Sequence, residues 1–130
     1  MKKLFALCIL SLSLFADVYD VTLGNYSAVV EQSSKPVIID FYAPWCPHCQ
    51  QMAPLMEEAS TRYPNIRFAK INCDNQAELA ERFSVDRLPT LLFILPGKNE
   101  TVFRSIGTLS ETGLNEKIKQ FLKIAIESKK

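Results

Sequence analysis

Two cysteines three positions apart, Cys46 and Cys49, are the residues of this sequence best suited to chemistry. They follow a β-branched and aromatic segment, Val37 to Tyr42, which predicts a buried strand, and they open a segment with helical periodicity. Disulfide exchange runs through the thiolate, and a helix N-terminus favours that anion with unpaired N–H groups and the positive end of its dipole. We therefore expect Cys46 to be the attacking thiol, and Cys49, one turn further and more buried, to be the resolving thiol.

The two residues between the cysteines fit this interpretation. Pro47 suits the first turn of a helix, where its missing N–H costs nothing. His48, if protonated, adds a positive charge beside the thiolate; the alternative is a neutral, exposed side chain with little effect. A second alternative for the pair is half of a zinc site. Zinc needs about four ligands, and Cys73 and His48 are the other candidates after the leader, so we expect no metal.

The remaining chain alternates strand and helix patterns, which predicts an α/β fold with a mixed central sheet. The predicted helix over Cys46 to Tyr63 has an apolar stripe and a proline, Pro54, that should kink it. Asn25 and Ser110 are the predicted N-caps of the first and last helices. The other predicted elements are strands at 18–22, 66–71, 90–95 and 101–106, helices at 25–32 and 76–83, a turn at 96–99, and a last helix after Ser110.

Bulk composition bounds the class of protein. The chain has 130 residues, 48% apolar and 22% charged, as in an ordinary single globular domain. The net charge of +1 gives no reason to expect a nucleic-acid partner.

The N-terminus has the features of a secretory signal peptide. Lys2 and Lys3 supply a basic start, Leu4 to Phe15 is an apolar run, and Ala16 is a small residue suited to cleavage. The alternative is an uncleaved anchor, although the run is short of the about 20 residues that span a bilayer. We expect a signal peptide over residues 1–16, a domain over residues 17–130, and a periplasmic location.

Several segments together resemble thioredoxin along nearly all of residues 17–130. They are Asp40 to Cys49, Ala53-Pro54, Lys70-Ile71-Asn72 and Leu88-Pro89-Thr90. The resemblance implies the thioredoxin fold, with about five strands and about four helices, and thiol–disulfide exchange through a Cys46–Cys49 disulfide without a cofactor. No nicotinamide or flavin motif such as G-x-G-x-x-G is present in the sequence.

The resemblance assigns roles to residues outside the cysteine pair. Asp40 matches a buried carboxylate that helps to deprotonate Cys49, and burial should raise its pKa toward neutrality; the alternative is an edge aspartate that caps a strand. Lys70 matches the lysine paired with that aspartate, and the alternative is an isolated surface lysine.

A second set of matching residues should contact the substrate. Pro89 matches a cis-proline that places the backbone of Leu88 against the substrate chain, and the alternative is a trans proline that opens a strand. Trp45 matches an aromatic that shields the site, or else belongs to the core. Gly107 matches a substrate-facing glycine, or else serves a turn. Pro47 completes the expected substrate-binding set.

The dipeptide Pro47-His48 departs from the Gly-Pro of most thioredoxins and is similar to that of DsbA-type oxidases. A histidine that stabilises the thiolate makes the disulfide more oxidising. We therefore expect exchange of disulfides with exported protein substrates, recharging by a membrane-bound redox partner, and a monomer.

Three alternatives remain open at this point. The first is a reductase or isomerase that repairs disulfides or serves cytochrome c maturation. The second is a non-catalytic thioredoxin-fold module that binds a partner. The third concerns Cys73, which is either a half-buried bystander thiol or a regulatory one.

Overall fold

The computed structural model describes residues 17–97 and 100–130. The predicted signal peptide, residues 1–16, lies outside the described residues, as do Lys98 and Asn99 of the predicted turn.

Strands and helices alternate along the chain in the predicted order. Strand β2 and strand β5 have the predicted bounds, and the other elements with predicted bounds differ by one or two residues at an end. The elements are β1 (Val18–Asp20), a π-helical segment (Ser27–Glu31), β2 (Val37–Tyr42), α1 (Pro47–Arg62), β3 (Arg67–Asn72), α2 (Ala77–Arg82), β4 (Thr90–Ile94), β5 (Thr101–Ile106) and α3 (Glu111–Glu127).

The strands of the described residues form one mixed sheet in the order β1-β3-β2-β4-β5. The pairs β1–β3 and β2–β3 are parallel, because a helical segment connects successive strands across this half of the sheet. The pairs β2–β4 and β4–β5 are antiparallel. The predicted α/β fold with a five-stranded mixed sheet is therefore confirmed, and β2 is its central strand.

Each face of the sheet packs against helices. Along β2 the side chains alternate, so Ile38 joins a cluster with residues of α1 and α3, while Ile39 and Phe41 face the π-helical segment and α2. Because both faces are covered, β2 is buried along nearly its whole length, as its continuous apolar sequence predicts.

The first helical segment differs from its prediction. Asn25 does not cap it; its Oδ1 accepts a hydrogen bond from the backbone N–H of Thr22 at 2.8 Å, and its Nδ2 donates to the carbonyl of Asp20 at 2.9 Å. The side chain thus closes the turn that follows β1, which ends that strand at Asp20 rather than at Thr22. This use of asparagine as a local mimic of backbone hydrogen bonding competes directly with capping.

The ends of the other helices can be compared with their predictions. Ser110 caps α3 as predicted, because its Oγ accepts from the N–H of Gly113 at 3.0 Å. Helix α1 continues past Pro54 to Arg62, and Cys46 is its N-cap rather than its first helical residue. Within residues 17–97 and 100–130, no helix has both the length and the apolar content that crossing a membrane requires.

Candidate active site

The central strand β2 delivers the cysteine pair to the start of helix α1. The strand ends at Tyr42, a short loop follows, and Cys46 takes the N-cap position with extended backbone angles of φ −85° and ψ 112°. Pro47 occupies the first helical turn, where no N–H is needed. A buried strand therefore fixes where the sulfur atoms lie, and the helix supplies the electrostatic environment.

The structure joins Cys46 and Cys49 in a disulfide, with a Cα–Cα distance of 5.2 Å. The backbone N–H of Cys49 donates to the Sγ of Cys46 at 3.2 Å, and the first turn of α1 contains no acidic residue. Both features favour negative charge on the Cys46 sulfur. Burial does not distinguish the two, since Cys46 is 5% and Cys49 3% exposed; what distinguishes Cys46 is its position at the N-cap.

His48 lies in the first turn of α1 with an exposed side chain. It takes part in none of the ion pairs within 4 Å that the described residues form.

The carboxyl group of Asp40 is buried beneath the disulfide. Asp40 lies on the central strand and is only 4% exposed, so it is not the edge residue that the alternative describes. Its Oδ1 has no hydrogen-bond partner. Burial raises the pKa of Asp40 to about 7, and the charge of Lys70 opposes that rise. A carboxyl with this pKa can accept and release a proton near neutral pH.

A cavity of about 70 Å³ links Asp40 to Cys49. Its volume exceeds what one water molecule needs, and it has polar groups on its walls. The lining includes side chains from β1, β2, β3 and α1: Val18, Asp40, Tyr42, Cys49, Ala53, Met56, Glu57 and Lys70. A water molecule in this space can carry a proton between the Asp40 carboxyl and the Cys49 sulfur.

The register of β2 and β3 places Lys70 beside Asp40, yet Lys70 forms its ion pair with Asp20 on the opposite neighbour, strand β1. Its Nζ is 3.9 Å from Oδ1 of Asp20 on β1, and the described residues contain no ion pair within 4 Å between Lys70 and Asp40. The expected Lys70–Asp40 pair is therefore a longer-range electrostatic interaction rather than an ion pair in contact.

The residues expected to contact substrate gather around the Cys46 sulfur. The Cys46 Sγ lies 4.0 Å from the carbonyl oxygen of Leu88, and the peptide bond between Leu88 and Pro89 is cis. Gly107 donates its N–H to the carbonyl of Pro89 at 2.9 Å and has a φ of 94°, a conformation that favours glycine. The site thus has a short backbone edge at Leu88, bordered by a residue without a side chain.

Trp45 is not part of the core. It is 68% exposed, and its Nε1 donates to Oδ1 of Asp74 at 3.2 Å. This hydrogen bond holds the indole on the surface next to Cys46. Ile106, which pairs with Thr90 next to Pro89, is 51% exposed, so a second apolar side chain lies near the Leu88 edge.

Cys73, the remaining free cysteine of the described residues, is half-buried. Burial, with the charges of Asp40 and Asp74, raises the pKa of the Cys73 thiol to about 11. Such a thiol is poorly nucleophilic at neutral pH, which favours the bystander interpretation. Within the described part of the chain, no three His, Cys, Asp or Glu side chains lie close enough to hold a metal ion.

Sequence reasoning missed four residues that the structure places at the site. Tyr42 and Glu57 line the cavity, Asp74 holds Trp45, and Asp20 holds Lys70. Tyr42 could have been found from strand alternation, because it is two residues from Asp40 and therefore on the same face of β2. The others depend on the register between strands or on a contact between distant segments.

Comparisons with known proteins agree with this geometry. Residues 17–120 match the family described as Thioredoxin. A thioredoxin of Borreliella burgdorferi is 35% identical over 117 residues, which cover 86% of this chain and 97% of that protein. A protein disulfide-isomerase, erp38 of Neurospora crassa, is 39% identical over 87 residues. That match covers 64% of this chain but only 23% of the isomerase, and a chloroplastic thioredoxin Y of rice is covered to 61%.

Solved structures show the same fold. The crystal structure of thioredoxin from Trypanosoma brucei brucei superimposes with a TM-score of 0.74 at 23% identity, over 85% of this chain and 96% of that one. The fold, the family match and the disulfide at the start of α1 lead to one conclusion: the chain belongs to the thioredoxin family, with a disulfide between Cys46 and Cys49.

Proposed function

We propose that this protein is an exported thiol–disulfide oxidoreductase that exchanges disulfides with other exported proteins in the periplasm. The observation that carries the exchange reaction is the Cys46–Cys49 disulfide at the N-terminus of α1, above the buried carboxyl of Asp40. The basic start, apolar run and small residue over positions 1–16 support export. The match to the family begins at residue 17, which supports a boundary after Ala16.

In the reducing direction, the Cys46 thiolate attacks one sulfur of a substrate disulfide. A bond forms between Cys46 and that sulfur, and the second substrate sulfur leaves as a thiolate with the bonding electron pair. Cys49 then loses its proton and attacks Cys46, which forms the intramolecular disulfide and releases the first substrate sulfur. The cysteine pair thus gives two electrons to the substrate, and the two substrate sulfur atoms leave as thiolates that take up protons from water. The oxidising direction is the reverse sequence.

The proton of Cys49 goes to Asp40 in this scheme. The pKa of Asp40, about 7, allows the carboxylate to accept a proton near neutral pH and to return it afterwards. The cavity between Asp40 and Cys49 has space for a water molecule that joins them.

The direction of use follows from the stability of the Cys46 thiolate. The Cys49 N–H, the N-terminus of α1 without acidic residues, and His48 all stabilise the reduced form, so we propose an oxidising potential that favours disulfide donation. A redox titration against glutathione tests this. A reduction potential of about −270 mV, typical of cytosolic thioredoxin, would contradict disulfide donation and favour the reductase.

A reductase or isomerase is the second candidate function. The similarity to a protein disulfide-isomerase, the exposed Trp45 next to Cys46 and the exposed Ile106 opposite Thr90 favour it, since an isomerase must hold a non-native protein chain. Reshuffling of a scrambled disulfide protein, measured beside simple oxidation of a reduced one, separates the two functions.

Trapping of covalent intermediates in cells tests the substrates and the location together. Cys49→Ala should accumulate mixed disulfides that thiol reductants cleave, since Cys46 can attack but the Cys49 thiol that would release the substrate is missing. We expect exported proteins and a membrane-bound redox partner among them. A Cys46→Ala, Cys49→Ala double variant is the matched control. Adducts with cytosolic proteins alone would contradict export.

The N-terminal residue and the oligomeric state of the processed protein can be measured directly. N-terminal sequencing of the protein from cell envelopes should read from Asp17, and light scattering should give the mass of a monomer. A protein that begins at Met1 and stays in the membrane fraction would favour an uncleaved anchor.

A further inference from the structure

Three charged side chains stand in one row across the sheet beneath the disulfide. Strand register pairs Asp20 of β1 with Lys70 of β3, and Lys70 with Asp40 of β2. Neighbours in register on parallel strands point to the same face of the sheet, with strands about 4.8 Å apart. Lys70 therefore has a carboxylate on each side.

The Lys70 ammonium group leans toward the outer carboxylate. Its Nζ is 3.9 Å from Oδ1 of Asp20, whereas Oδ1 of Asp40 is buried without a hydrogen-bond partner. The Asp20 side chain is 76% exposed, so this pair forms where water can also solvate it, at the edge strand. Asp40 consequently lacks the close cation that its neighbour in the row could supply.

We propose that Asp20 is a positioning residue that draws the Lys70 ammonium group away from Asp40 and thereby sets the proton affinity of the Asp40 carboxyl. The inference deepens the proposed function, because it rests on Asp40 as the group that exchanges a proton with Cys49. Asp20 acts on that exchange without contact with substrate or with the reacting sulfur atoms.

The charge of Asp20 also acts on a neighbour of Asp40, whereas the pKa of Asp40 itself is set by burial and by Lys70. Tyr42, which lines the same cavity as Asp40, has its pKa raised by burial first and then by the charge of Asp20. The groups that face Asp40 are otherwise Tyr42 on its own strand, Cys49 and Glu57 on α1, Lys70 on β3, and Cys73 after β3. Lys70 is the only cation of this described set, so its position affects the pKa of Asp40.

The sign of the effect follows from these contacts. Asp20→Asn removes the competing charge and frees the ammonium group to approach Asp40, which stabilises the Asp40 carboxylate. The titration midpoint of Asp40 should then fall by about 0.15 to 0.7 pH unit, which is the range that an exposed ion pair permits. The side chain of Asn25 bonds to the backbone of Asp20, so the substitution leaves that turn intact.

The test is an NMR titration of the Asp40 side-chain carbon in the oxidised protein. Glu78→Gln is the matched control, because Glu78 is also exposed and paired, with Arg82 on α2 at the opposite face of the sheet. A fall in midpoint for Asp20→Asn but not for Glu78→Gln supports the inference. No change, a rise, or an equal fall in the control overturns it.

A second pair of variants tests whether Asp20 acts through Lys70. On a Lys70→Met background, Asp20→Asn should shift the Asp40 midpoint by less than half of its effect in the parent protein. An equal shift on both backgrounds would overturn the positioning role and leave only a direct charge effect. These titrations use oxidised protein without substrate, so they can be interpreted even if the protein does not exchange disulfides.

Discussion

The buried carboxyl of Asp40 should destabilise the folded protein as the pH rises. Its pKa is about 7 in the folded chain against an ordinary value of 3.8, because burial disfavours the charged form. Below pH 3.8 the group is neutral in both states and has no effect. Between pH 3.8 and 7 the unfolded chain ionises while the folded chain does not, so the free energy of unfolding falls with pH.

Replacement of Asp40 by asparagine removes this ionisation. At about 1.4 kcal/mol per unit, the rise in pKa lowers the free energy of unfolding of the parent by about 4 kcal/mol. This loss of stability is complete above pH 7. The amide has nearly the shape of the neutral carboxyl, so the two proteins should have similar stability at low pH. Asp40→Asn should therefore be about 4 kcal/mol more stable than the parent at pH 8 and about equal at pH 4.

Urea denaturation of the oxidised proteins at pH 4, 6 and 8 measures the difference, because the disulfide prevents the two active-site cysteines from titrating. Asp86→Asn is the matched control, since Asp86 is exposed. A stability difference for Asp40→Asn that is the same at all three pH values would refute the reasoning. So would a parent protein that is more stable than the variant at pH 8.

Three further substitutions or measurements test separate parts of the structure. His48→Gly should make the reduction potential more negative by about 10 mV or more, since it removes the imidazole that we propose stabilises the Cys46 thiolate from the first turn of α1; an unchanged potential would exclude a role for the imidazole. Alkylation of Cys73 in the oxidised protein should be roughly tenfold slower at pH 8 than that of an exposed cysteine, because its pKa is raised to about 11; fast alkylation would restore a regulatory role. Ser110→Ala should lower the free energy of unfolding by about 1 kcal/mol in urea through loss of the cap on the Gly113 N–H, whereas Ser110→Asp should keep the stability.

Local sequence signals were sufficient for the elements that carry the disulfide. Strand β2 is continuous in apolar residues because both of its faces are covered, and the helix after it begins at a proline. The order of the elements followed from the alternation of periodicities, and the hairpin of β4 and β5 followed from the turn residues between them.

The polar environment of the site could not be predicted from local sequence. The pairing of Asp20 with Lys70 depends on the register of two strands about fifty residues apart, and nothing near either residue specifies that register. The position of the exposed Trp45 depends on its hydrogen bond to Asp74, a residue that follows β3. Asn25 could have served as a cap or closed a turn, and tertiary contacts of β1 decided between the two.

The central claim is that Cys46 is the attacking thiol of a protein disulfide oxidoreductase. The direct measurement is the reduction of insulin by dithiothreitol in the presence of purified protein, with the parent, Cys46→Ser and Cys73→Ser compared at equal concentration. We predict that Cys73→Ser accelerates precipitation of the insulin B chain as the parent does, and that Cys46→Ser gives only the uncatalysed rate. Equal rates for the parent and Cys46→Ser would contradict the account and leave a thioredoxin-fold module that binds partners without exchange.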